Sequence, residues 1–159
     1  MSCNNYQPHL HIYTEDAATR DVADGFMQSF PACKQRQIQI FPYGSGYASV
    51  KAKMLSDAKL SMFQCRRIVC VIDFDNQPER SIELKNSVDP QMRDHVYVLG
   101  CADEIESSKT ALGIQGSNDA FGKRLSLRNT DDWGNPCLKS SEDELARLLA
   151  DLRSNGICP

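Results

Sequence analysis

The sequence predicts an α/β protein with a mostly parallel, Rossmann-like central sheet of four strands and helices on both faces. Short apolar, β-branched runs alternate with stretches of helical periodicity through the first two thirds of the chain. One of those runs, Arg67 to Phe74 (RIVCVIDF), is apolar on both sides of the pleat, as a central strand covered by two helical layers must be. The intervals between runs are long enough for helical crossovers, which join parallel strands in the right-handed sense.

Leu10 to Thr14 is the first strand, and Ala18, Val22, Phe26 and Phe30 recur at helical spacing between Glu15 and Phe30. Pro31 stops that helix. Gln37 to Pro42 alternates polar and apolar as a second strand. The turn Tyr43-Gly44-Ser45-Gly46 then leads into a helix over Ala48 to Phe63, with Val50, Met54, Leu55, Ala58 and Met62 directed inward. After the third strand, Pro78 opens a helix over Glu79 to Asn86, and His95 to Leu99 is the fourth strand. Beyond Gly100 come the acidic segment Asp103-Glu104-Ile105-Glu106, a helix near Ser117 to Leu127 and a turn-rich stretch from Asn129 to Pro136. Ser141 before Glu142, Asp143 and Glu144 reads as a capped helix start, with Leu145, Leu148, Leu149 and Leu152 as the apolar stripe and Gly156 at the end. Without repeats or linkers, residues 1–159 read as one domain, with a core over about 10–106 and a C-terminal extension over about 107–159.

Hydrophobic residues at 41% and charged residues at 25% match a globular chain, and no segment approaches the roughly 20 apolar residues of a membrane span. The start MSCNNYQPHLHIYTED lacks the basic and apolar stretches of a secretory leader, so the expected location is cytoplasmic. Cys3, Cys33, Cys65, Cys70, Cys101, Cys137 and Cys158 form no CxxC pair; they read as reduced thiols rather than zinc ligands. The formal charge of -3 gives no general attraction to phosphate backbones, so nucleic acid binding needs a local basic patch or a bridging metal.

Ligands of open parallel sheets bind beyond the carboxyl ends of the strands. Three of those ends are acidic: Glu15 after the first strand, Asp73 and Asp75 at the third, and Asp103, Glu104 and Glu106 after the fourth. Residues two apart in a strand face the same side, so Asp73 and Asp75 are expected to offer oxygens to one ion. Hard oxygen donors favour Mg2+ or Mn2+. The plainer reading, solvated loop acids or helix caps, weighs less at Asp73, which directly follows a buried run, than at Glu15, Glu104 or Glu106. Gly44 and Gly46, through backbone N–H groups at a helix start, and Lys51 behind them are candidate phosphate contacts. Lys53, Arg66, Arg67, Lys123, Arg124 and Arg128 read mainly as solvated surface, His9, His11 and His95 as strand-edge residues, and Trp133 as a packing anchor.

In order and spacing these features resemble the TOPRIM domain, the metal-binding unit of topoisomerases, bacterial primases, recombination proteins and overcoming-lysogenization-defect nucleases. The resemblance spans Leu10 to Glu106: a glutamate after the first strand (Glu15), a Gly-bearing turn after the second (Gly44-Ser45-Gly46) and a DxD after the third (Asp73-Phe74-Asp75). The nuclease branch adds an acid after the fourth strand, for which Glu106 is favoured over Glu104. Asp16 and Thr19 stand where the family often has Gly and Asp. The resemblance implies phosphodiester chemistry on nucleic acid, DNA before RNA. It implies Glu15, Asp73 and Asp75 as catalytic residues and Glu15, Asp73, Asp75 and Glu106 as ligands of Mg2+ or Mn2+, with Gly44, Gly46 and Lys51 near phosphate. It also implies a partner, either an ATPase or a second copy of the chain. The competing readings are a non-catalytic TOPRIM-like subunit of a larger, phage-defence complex and a haloacid-dehalogenase-like magnesium phosphatase, a family that places its DxD on the first strand.

Overall fold

In the computed structural model, which describes residues 6–58, 65–126, 132 and 135–157, the strands β1 (His9–Thr14), β2 (Ile38–Ile40), β3 (Arg66–Asp73) and β4 (Val96–Cys101) form one sheet. All pairings are parallel and the spatial order is β2-β1-β3-β4. The helices are α1 (Ala17–Gln28), α2 (Ala32–Gln35), α3 (Tyr47–Asp57), α4 (Glu79–Asn86), α5 (Ile105–Ala111), α6 (Asn118–Ser126) and α7 (Lys139–Ser154), and a 3-10 segment, Pro90–His95, leads into β4. The architecture is the α/β, Rossmann-like one that the alternating pattern predicts.

β3 lies inside the sheet and sends side chains into two separate cores. Ile68, Cys70 and Ile72 pack with Val96 and Val98 beneath Val50 and Met54 of α3 and Leu84 of α4. On the other face Val69 joins Leu10, Ile12 and Leu99 beneath Val22 of α1, Phe121 of α6 and Leu148 of α7. Each fully buried aliphatic side chain contributes about 1.5–3 kcal/mol. Gly25 and Gly122 allow α1 and α6 to cross at backbone contact: a Cβ at Gly25 would lie 1.9 Å from the Asp119 carbonyl oxygen, and one at Gly122 1.9 Å from that of Val22.

Several expectations change. Ser141 is not a helix cap; it lies inside α7, fully buried, and its hydroxyl accepts from the Gly100 N–H at 2.9 Å and donates to the Gly100 carbonyl at 2.8 Å. One turn further along, Glu144 accepts from the Val98 N–H at 3.0 Å, and Arg147 donates to the carbonyls of Val96 (2.6 Å) and Asp94 (2.9 Å). Side chains of α7 thus close the open edge of β4, where a fifth strand would otherwise bind. Leu55 is exposed rather than inward, because α3 presents Val50 and Met54 to the sheet. Arg66 and Arg67 are buried, not solvated: Arg66 pairs with Asp57 and Arg67 with Asp151 at 2.8 Å. His9 and His11 are buried in the same network as Arg66, where His11 Nδ1 and the Tyr13 hydroxyl meet the Asp57 carboxylate at 2.6 and 2.7 Å. Met62, Phe63, Leu127, Arg128, Asn129, Trp133, Cys3 and Cys158 lie outside the described residues. Among the described residues no helix is long and apolar enough to cross a membrane.

Replacing Ser141 by Ala strips partners from two edge groups of β4 at once. The expected loss is about 1–3 kcal/mol of stability, read by urea denaturation. A loss below 0.5 kcal/mol, on the order of a plain surface change, would show that the edge is closed by other means.

Candidate metal centre at the ends of β1 and β3

β1 and β3 are neighbours, while the chain leaves β1 toward β2 on one side and reaches β4 beyond β3 on the other. The crevice beyond Thr14 and Asp73 is therefore the switch point of the sheet, the place where such folds bind ligands. At Glu15 the chain departs from β1. Its backbone N–H still bonds the Val71 carbonyl at 3.2 Å, and its Oε2 accepts from the Asp73 N–H at 2.9 Å. The Glu15 side chain thereby replaces the next backbone carbonyl of the ladder, which fixes its carboxylate against the Asp73 backbone. Asp16 caps α1: its Oδ1 accepts from the Thr19 N–H at 2.8 Å, and Thr19 Oγ1 accepts from the Asp16 N–H at 3.0 Å. The departure from the TOPRIM pattern at Asp16 and Thr19 is thus a reciprocal helix cap.

Asp73 is half-buried and borders an apolar cavity of about 50 Å³ lined by Ile12, Thr19, Val69, Cys101 and Ile105. Its Oδ1 is buried and has no hydrogen-bond partner among the described residues. Burial, followed by the negative charges of Asp16, Glu15, Asp75 and Glu104, pushes the Asp73 carboxyl up to about 7. Burial also raises Glu15; the Asp73 N–H works against that rise, and the Asp75 charge adds to it.

Asp75 does not follow the strand period. Phe74 continues the β4 pairing through its N–H to Cys101 and is buried in the α3 and α4 core, after which Asp75 (φ 47°) and Asn76 (φ 57°) enter the left-handed region and turn the chain. Asp75 is exposed, and its Oδ2 accepts from Arg80 Nη1 at 2.7 Å. Its charge still acts on both Glu15 and Asp73, so the three acids share one neighbourhood, reached by a turn rather than by alternation along a strand.

The remaining candidates divide. Glu104, just before α5, acts on Asp73, whereas Glu106 in the first turn of α5 is exposed and pairs with Lys109 at 3.4 Å. The Gly turn is fixed against the site: the Gly44 N–H donates to the Thr14 carbonyl at 3.0 Å and the Gly46 N–H to the Glu15 carbonyl at 3.3 Å. Gly46, at φ 111°, directly precedes α3, whose N-terminus has no side-chain cap. Lys51 pairs with Glu83 at 2.8 Å, Lys53 donates to the Pro42 carbonyl, Lys123 pairs with Asp119 and Arg124 with Asp132.

Two contributors escaped sequence reading, Arg80 and Tyr47. Arg80 stands in the first turn of α4, and its guanidinium carbon lies 4.9 Å from the centroid of the Tyr47 ring, the first residue of α3. A basic residue shortly after a DxD and a helix-opening proline was the signal available for Arg80. Comparison with protein-family models, curated proteins and solved structures finds no match.

An acid whose folded-state pKa exceeds its unfolded value binds its proton more tightly when folded, so stability falls as pH rises between the two values. For Asp73 that window runs from about 4 to about 7. The metal-free protein is expected to lose about 2 kcal/mol across it, after allowance for solvent screening of a half-buried group. Asp73→Asn should flatten the fall, and Mn2+ at pH 8 should restore the wild-type melting temperature. Parallel stability–pH curves for both proteins would remove Asp73 as the cause.

Proposed function

We propose that the acids at the ends of β1 and β3 bind Mg2+ or Mn2+ and serve phosphoryl transfer on nucleic acid, as a nuclease of the kind the TOPRIM resemblance implies. The observation that carries this reading is Asp73: a buried, unpartnered carboxylate oxygen crowded by four other carboxylates. Such a group holds its charge poorly at neutral pH unless a cation joins it. The donor set fits a hard divalent ion. Among the described residues no three His, Cys, Asp or Glu side chains are already gathered in a metal-holding group, so cation binding requires Asp75 to be drawn inward from Arg80.

Asp73 and Asp75 are the ligands in this reading, with Glu104 better placed than Glu106 to add a further acid. A bound magnesium supplies Lewis-acid charge and a more acidic bound water. Glu15 keeps Oε1 clear of the Asp73 N–H and stands as general acid or base. The Gly44 and Gly46 N–H groups expected to meet phosphate are already committed to the Thr14 and Glu15 carbonyls, which leaves the uncapped start of α3 to offer backbone N–H groups to a phosphate near Glu15. Because Arg66, Arg67, Lys51, Lys123 and Arg124 are all spent on carboxylates, the DNA surface is completed by a partner, an ATPase or a second copy of the chain.

One observation favours a non-catalytic subunit instead. Two of the three acids already serve structure, Glu15 on the Asp73 N–H and Asp75 on Arg80. Incubating purified protein with supercoiled plasmid and single-stranded oligonucleotides in Mg2+ or Mn2+ separates the two. Nicking that falls at least about 100-fold in Asp73→Asn and Asp75→Asn, with circular dichroism unchanged, is the expected result. Failure to cleave any DNA or RNA, alone or with neighbouring-gene proteins, would refute the nuclease.

A further inference from the structure

Arg80 is held in place from three sides. Nη1 donates to the Asp73 carbonyl oxygen at 2.9 Å and to Asp75 Oδ2 at 2.7 Å, and the guanidinium lies over Tyr47. Both bonds leave from one nitrogen. Nε and Nη2 make no hydrogen bond among the described residues, and neither is a sealed-off buried atom, although the side chain as a whole is only 17% exposed. The unused Nε–Nη2 edge is the one that matches two oxygens of a phosphate. It lies where α4 begins, beside the uncapped first residue of α3, so two sources of positive potential meet at the acidic crevice. Lys51, the cation the sequence offered for this role, is tied to Glu83.

We propose that Arg80 is the phosphate-recognising residue of the site, presenting Nε and Nη2 to a backbone phosphate of single-stranded or nicked DNA while Nη1 remains on the β3 end. This rests on the nucleic acid reading above but not on catalysis. Because the guanidinium is immobilised before substrate arrives, little side-chain entropy remains to be lost on binding, and the fork geometry, not charge alone, carries the affinity. Lysine at this position keeps the charge and loses the fork.

The test is fluorescence anisotropy of a labelled oligonucleotide against wild type, Arg80→Lys and Arg80→Gln, in Ca2+ and in EDTA, over a range of salt, with melting temperatures and Mn2+ titration calorimetry on each protein. Both variants should bind about tenfold more weakly, and Arg80→Gln should reduce the salt slope by about one. If Arg80→Lys, folded as judged by its melting temperature, binds as wild type does, the fork is dispensable and the proposal is wrong. Wild type that binds no oligonucleotide in either condition overturns it equally. Arg80-dependent DNA binding without Mn2+ binding would uphold Arg80 and reject the metal-dependent nuclease; Mn2+-dependent nicking indifferent to Arg80 would do the reverse.

Discussion

The burial of β3 between two helical layers is the constraint from which the remaining structure follows. A parallel sheet leaves neither face to water, so every side chain of this strand must be apolar or paired, and the strand is polar only where it enters and leaves the sheet. At the entrance, Arg66 and Arg67 are neutralised by Asp57 and Asp151, which arrive from α3 and α7 on opposite faces. At the exit, Asp73 pairs with no cation among the described residues. The two ends of one strand therefore differ in kind: the first is a settled ion-pair network, and the second is an accumulation of like charge.

Much of the architecture was legible because it rests on periodicity. The strand Arg67 to Phe74 shows its burial in its residues, and the spacing of Ala18, Val22 and Phe26 is enough to place α1. What escaped was long-range. Ser141 preceding three acids has the local form of a helix cap, and only the position of β4 reveals that its hydroxyl serves a sheet edge instead. Likewise Arg66 and Arg67 read as solvated cations until Asp57, across the α3–β3 connection, and Asp151, far along the chain, are brought against them. A buried ion pair leaves no local trace, since each partner alone resembles an ordinary surface residue.

The candidate site follows the same division. That Glu15 and Asp73 lie at the same end of the sheet follows from the carboxyl-end rule, readable from the order of elements, whereas the adjacency of β1 and β3 that brings them together is seen only in the structure. The alternation argument for Asp75 rests on the wrong cause: Phe74 and the left-handed pair Asp75 and Asn76, not the two-residue period of a strand, set its direction. Choosing between Glu104 and Glu106 required knowing where α5 begins, which a polar segment of few residues does not disclose.

Arg80 gives the unbalanced end of β3 its remaining logic. Without it, Glu15, Asp73 and Asp75 would repel one another with only solvent to screen them, a cost that grows as the site is made drier. With Asp75 drawn outward to Arg80, the acids are held apart, and Asp73 is left as the group most in need of a counter-charge. A divalent ion alone would have to compete with the guanidinium for Asp75. A phosphate that engages the guanidinium weakens that competition and leaves Asp75 freer to turn inward. Within the reading proposed for this site, cation and phosphate thus favour each other through a single side chain, and the acids assemble most fully when both are present.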